Sequence, residues 1–196
     1  MNNTSIPGDT AFTASALCQY CGLCCTGVLH SYIRVEPEEI EHISKAGIPL
    51  RKAKNDKVYF VPPCVCLVDN TCSIHETKPK VCRDYHCTLQ KNVMNGSETD
   101  DDARRVIKRF KQAAEKLREQ VTPPKNRDVS ELNLHSFLLS FFDTMVKARK
   151  TRDYTPEETT FIYDSFEYAK LVDRYFLKTP LLVKFSDLIL SIEDRG

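Results

Sequence analysis

Cys18-Gln19-Tyr20-Cys21-Gly22-Leu23-Cys24-Cys25 puts four thiols into eight consecutive residues. No other feature limits the possible folds so sharply. A two-residue gap between cysteines lets one turn bring both sulfurs to a metal, with backbone amides aimed at the thiolates. Gly22 supplies backbone freedom where the chain must curl. The vicinal pair adds a further constraint. Side chains of adjacent residues diverge in regular structure, so Cys24 and Cys25 either face different metal atoms or leave one thiol spare.

Five more cysteines, Cys64, Cys66, Cys72, Cys82 and Cys87, follow in one later stretch, and none comes after them. Thiols used only as small core residues would not be segregated in this way. The two groups are therefore expected to meet in space. Residues 1–17 are polar and rich in small side chains, without the basic start and apolar centre of a secretory signal, so a cytoplasmic location is expected. In a reducing compartment, nine thiols read as metal ligands rather than disulfides, which would also leave one cysteine over.

The chain resembles the YkgJ-type cysteine-cluster family, whose members carry a CxxCxxCC zinc- or iron-chelating domain. The family pattern is C-x2-C-G-x-C-C, then a cysteine, seven residues, C-x-I-Y, an R-P pair and C-R-x-Y/F-x-C. Here Cys18, Cys21, Cys24 and Cys25 complete the first block, Cys64 and Cys72 have the seven-residue gap, and Ile74, Cys82, Arg83 and Cys87 complete the second. His75 replaces the tyrosine, Lys78 replaces the arginine before Pro79, and Cys66 is additional. The resemblance covers the first half of the chain. It implies metal chelation by Cys18, Cys21, Cys24, Cys25, Cys64, Cys72, Cys82 and Cys87.

Two metal chemistries compete for these sulfurs. Cys18, Cys21 and Cys24 have the spacings of a bacterial ferredoxin run, which suits an iron–sulfur cluster with a distant fourth ligand. Structural zinc also uses C-x2-C pairs, and two four-sulfur sites would consume eight thiols. A contiguous triplet with an adjacent fourth thiol tilts the reading towards iron–sulfur. His75 and His86 inside the second group, and His30 after the first, are candidates to support or replace a thiolate, against the plainer reading that they bond backbone or water. Arg83 is expected to offset thiolate charge by donating to sulfur, the alternative being a surface pair with Asp84. Cys66 is expected to be a buried small residue or a reactive thiol rather than a ligand.

Charge is balanced, with 28 Lys and Arg against 27 Asp and Glu, so nothing drives the chain to nucleic acid or to an anionic membrane. No apolar run approaches the roughly 20 residues that span a bilayer. The dispersed basic residues of 104–118 read as a solvated helix face. Residues 1–16 are expected to be a mobile leader, 17–96 a cysteine-cluster metal-binding domain, and 97–196 a helical region packed on it. Within 17–96, strands are expected near 28–35 and 57–61 with a short helix opened by Pro37 between them, and 51–57 as a charged turn. Beyond a loop at Asn95-Gly96-Ser97, apolar periodicity predicts helices over 101–121 and 130–150 and from Pro156, with a last one over 181–192. Phe137, Phe141, Phe142 and Val146 fall on the apolar face of the second of these.

The expected fold class is α+β, mainly α, with a small irregular cysteine-rich lobe and a short β-ribbon followed by a helical half. The expected function is metal chelation, iron–sulfur or zinc, in an accessory or redox partner protein. One alternative is a structural zinc module for protein–protein contact. The other is a methylase-like enzyme acting on protein side chains, since longer proteins with a similar cysteine block include flagellin lysine methylases. A radical-SAM C-x3-C-x2-C, a Walker loop, G-x-G-x-x-G, G-x-S-x-G and H-E-x-x-H are all missing.

Overall fold

The computed structural model describes residues 16–69, 71–121, 132–179 and 181–193. Residues 1–15 of the expected leader and 130–131 of the second expected long helix lie outside the described residues. The first elements are a helix over residues 16–21 (α1), strand β1 (Ile33–Val35), helix α2 (Ile40–Lys45) and strands β2 (Arg51–Lys52) and β3 (Val58–Phe60). A hairpin of β4 (Leu67–Val68) and β5 (Thr71–Cys72) follows, then the short helices α3 (Lys80–Asp84) and α4 (Thr88–Met94). The helical half holds α5 (Asp100–Glu119), α6 (Leu134–Ala148), α7 (Pro156–Tyr175) and α8 (Leu181–Glu193). The α+β, mainly α, architecture is the one expected.

The first sheet is antiparallel, ordered β1-β3-β2, with Arg34 opposite Tyr59 and Arg51 opposite the same Tyr59. Three details depart from expectation. The first strand is only Ile33–Val35, because Val28 and Leu29 are buried in the helical core and are not available to the sheet edge. Arg51 and Lys52, read as turn, pair with β3 as an edge strand whose charged side chains point to water, a common way to blunt an edge. The β4–β5 hairpin was not foreseen. Its strands are two residues each, too short for any alternation to register, and Asp69 takes the turn at φ +48°.

The helices follow their sequence signals closely. Ala103, Ile107, Phe110, Ala114 and Leu117 form one buried stripe along α5, at alternating spacings of four and three. Thr99 caps α5, and Asp100, Asp101 and Asp102 lie in its positive first turn. The α7 start is a full capping box between Thr155 and Glu158 with Pro156 at the first helical position. Helix α7 packs against both α5 and α8, and Phe110 meets Tyr168 and Phe176 with ring centroids 4.9 and 4.8 Å apart. Each such fully buried side chain contributes about 1.5–3 kcal/mol. Val146, expected on the inner face of α6, is exposed, because that face is narrower than the run of apolar residues.

Two apolar clusters result. The larger unites Leu17, Leu23, Val28, Leu29 and Leu89 with the inner faces of α5 to α8. The smaller has Val35, Ile43, Ile48, Phe60 and Cys66 as its buried members among the described residues, between the sheet and α2. The cysteine-rich segments run between them.

Candidate metal centre

Helix α1 places Cys18 and Cys21 one turn apart on the same face. Gly22 then adopts φ +65°, its N–H donating to the Cys18 carbonyl at 3.2 Å, and the Cys25 N–H returns to the Gly22 carbonyl at 2.9 Å. This tight reversal is where the sequence expected the chain to curl. Leu23 is driven into the helical core, which turns Cys24 and Cys25 to either side of it. The second group is tied to the first by the Cys64 N–H, which donates to the Cys25 carbonyl at 2.8 Å. The β4–β5 hairpin sets Cys72 opposite Leu67, α3 carries Cys82, and Cys87 caps α4 by accepting from the Gln90 N–H at 3.4 Å.

All eight motif cysteines line one cavity of about 480 Å3. None is in a disulfide. Backbone amides are aimed at sulfur in three places: that of Leu23 at Cys21, that of Cys66 at Cys64, and those of Gln90 and Leu89 at Cys87. Such donors favour a thiolate. Burial works the other way and dominates. It raises Cys21 and Cys82 to about 12 and Cys64 to about 11, and lifts Cys24 and Cys25 well above the ordinary value, with neighbouring cysteines adding to each shift. Several thiols crowded into an apolar hollow can ionise together only against positive charge, which a thiophilic cation supplies. The donor set therefore fits zinc or iron.

Among the described residues, no three Cys, His, Asp or Glu donors stand ready to hold a single metal ion. Four sulfurs on one zinc, each about 2.3 Å from it, would lie within about 4 Å of one another. Here the sulfurs ring a space instead.

The remaining candidates are placed as follows. Cys66 does not line the cavity. It is buried in the smaller core, and its Sγ donates to the Ala46 carbonyl at 3.7 Å. His75 lines the cavity with both nitrogens engaged, Nε2 accepting from Lys78 Nζ at 3.0 Å and Nδ1 facing Glu76 at 3.3 Å. His86 lines a second, outer hollow of about 390 Å3, which also touches Cys18 and Cys82, and its buried Nδ1 has no hydrogen-bond partner. Arg83 lines that outer hollow too. Its Nη1 donates to the Lys78 carbonyl at 2.9 Å, while Asp84 pairs with Lys80 at 2.5 Å. His30 lines the main cavity edge-to-face with Tyr85, and burial keeps its imidazole below the usual range.

Sequence reasoning missed three sets of participants. Lys78, at the position of the family's arginine, is the cation whose charge favours the thiolates of Cys18 and Cys82. Lys111 does the same for Cys21 and donates to the Tyr20 carbonyl at 3.3 Å, while Arg104 stacks over the Tyr20 ring at 4.4 Å. Arg118 donates to the carbonyls of Thr26 and Leu132 at 2.9 and 3.5 Å. Several basic residues of α5 thus brace the first cysteine block instead of forming a solvated face. Their i,i+4 charge pattern carries no trace of that long-range role. The third is His135, on the first turn of α6, which lines the cavity with Nδ1 buried and unpartnered. Burial, then His30, lowers its imidazole to about 4. It sits in a run of apolar residues where only the tertiary fold brings it to sulfur.

Residues 17–117 match the CxxCxxCC family model, described as "Putative zinc- or iron-chelating domain". No curated protein and no solved structure matches the chain. The matched span covers more than half of the 196 residues and includes every cysteine that lines the cavity. On that match, the chain belongs to the CxxCxxCC family of zinc- or iron-chelating domains.

Proposed function

We propose that the protein holds an iron–sulfur centre through Cys18, Cys21, Cys24, Cys25, Cys64, Cys72, Cys82 and Cys87, and serves a partner protein as a redox or accessory component. The observation that carries this reading is the ring of eight thiols around one cavity of about 480 Å3. A space bounded by sulfurs that do not converge suits a centre of several atoms better than an isolated ion. Amides directed at three of the sulfurs would tune such a centre, and Lys78 and Lys111 would offset its charge. Cys18 and Cys82 also border the outer hollow, which brings the site near the surface where a partner can approach.

A structural zinc reading has one observation in its favour. Among the described residues the smaller core has five buried members, and metal often replaces missing core in lobes of this size. Metal and acid-labile sulfide analysis, with a visible spectrum, on protein purified without oxygen separates the two. Iron with matching sulfide and a spectrum bleached by dithionite is expected. Zinc without sulfide would replace the redox reading with the structural one, and a metal-free chain would overturn both.

A further inference from the structure

The eight thiols do not form one even ring. Cys21, Cys24 and Cys87 pack against the helical core, whereas Cys64 and Cys82 pack against the small core of the sheet and α2. The backbone divides them in the same way, because Cys18 and Cys21 share one face of α1 while the Cys64 N–H bonds the Cys25 carbonyl at 2.8 Å, and the charges near each thiol largely follow. Cys24 is influenced by Cys21, Cys25, Cys18 and Cys87, while Cys25, its neighbour in sequence, is influenced by Cys64, Cys72, Cys82 and Cys18. Cys82 answers to Cys64 and Cys72. Tyr85, whose hydroxyl donates to the Phe176 carbonyl at 3.3 Å on the helical side, answers to Cys24, Cys87 and Cys21. Cys18 bears on thiols of both sides and is itself influenced by Cys72, while Cys25 bears on Cys24 across the boundary. Lys111 stands near Cys21 on the helical side, and Lys78 near both Cys82 and Cys18, which again puts Cys18 at the boundary.

We infer that the cavity is two metal compartments rather than one, each for its own thiophilic centre. The first is Cys18, Cys21, Cys24 and Cys87 on the helical core. The second is Cys25, Cys64, Cys72 and Cys82 on the sheet. The boundary runs through the Cys24–Cys25 peptide, with Cys18 on the seam. This explains why the motif needs a vicinal pair: adjacent side chains diverge, so one backbone segment serves both compartments. The partition rests on the chelation reading above, and it holds for either metal.

The test uses the full chain and counts metal. Wild type, Cys87→Ser, Cys64→Ser and Cys18→Ser are purified without oxygen, loaded with iron and sulfide or with zinc, and weighed by native mass spectrometry. Cys87→Ser and Cys64→Ser should each keep about half of the wild-type metal, a chain carrying both substitutions almost none, and Cys18→Ser should weaken both halves. Circular dichroism checks that each variant folds. Where one does not, stepwise removal of metal from wild type by chelator decides the matter, because two compartments pass through a half-loaded species. Loss of the whole complement in either folded single variant, or all-or-none release from wild type, overturns the partition while leaving chelation intact. A wild-type chain that takes up no metal overturns chelation itself, and the partition with it.

Discussion

Cys66 shows how little separates a ligand from a core residue in this chain. Two residues after Cys64, it occupies a spacing at which a second sulfur would be unremarkable. The turn closed by the Leu67 N–H on the Cys64 carbonyl at 3.0 Å instead sends its side chain into the smaller core, 4% exposed, while its amide is aimed at the Cys64 sulfur. The backbone amide of residue 66 favours the Cys64 thiolate, while its thiol lies outside the cavity and opposes that thiolate. Cys66→Ala should therefore leave metal content unchanged and lower stability by about 1 kcal/mol, the cost of a small cavity. Elemental analysis and denaturant unfolding of the same sample check both halves of that expectation. A drop in metal would make Cys66 a ligand. Arg83 and Lys78 teach a related lesson: the pattern marks where a cation belongs, but which of two neighbouring cations reaches the sulfurs depends on side-chain direction.

At the level of elements, the join between α6 and the cysteine lobe carries an unusual share of the polar contacts. Asn133 caps α6 by accepting from the Ser136 N–H at 2.9 Å, and its Nδ2 donates to the carbonyls of His30 and Pro62, each at 2.9 Å. Gly27 lies directly beneath. With φ +74°, and with a Cβ that would stand 3.1 Å from the Pro62 carbonyl oxygen and 3.2 Å from the Asn133 Cα, no other residue fits easily there. The Gly27 carbonyl accepts from the His135 N–H at 3.1 Å, which holds His135 at the cavity. Asn133→Ala removes the cap and leaves two carbonyls unpaired, so it should cost about 2–4 kcal/mol and loosen the cavity wall. Chemical denaturation measures the first effect, and faster metal release to a chelator reports the second. A loss below about 0.5 kcal/mol would show that the join is held by apolar packing alone.

For the whole molecule, burial of so many thiols couples folding to pH and to metal. In the metal-free, reduced chain, burial holds Cys21 and Cys82 near 12 and Cys64 near 11, against an ordinary value of 9.0. Acids with raised folded values keep their protons in the folded state after the unfolded chain has lost them. Their contribution is complete below about pH 9 and is lost as pH rises through 11 to 12. Unfolding free energy should fall across that window by about 1.4 kcal/mol per pH unit for each thiol still protonated. The metal-loaded chain, with its thiols already ionised, should not show that fall. It should instead lose metal in acid, where protons compete for sulfur. Parallel denaturant titrations from pH 7 to 11, with and without metal, test the contrast. Equal slopes would mean that the buried thiols are not the groups that metal engages. Among the described residues no helix is long and apolar enough to cross a membrane.

The sequence by itself determined the long helices, the start of α7 and the family, because those signals are local. Apolar stripes such as that of α5, the Thr155–Glu158 capping box and the two-residue cysteine spacings all lie within a few turns of chain. It also carried the expectation that two distant cysteine groups converge. Only the tertiary structure decided which groups share a wall. The division of the thiols between two cores, the burial of Cys66, the arrival of His135 from α6 and the bracing of α1 by Lys111 and Arg104 all depend on contacts across tens of residues. Those contacts are set by burial of apolar area, which has no direction along the chain and leaves no periodic mark in it.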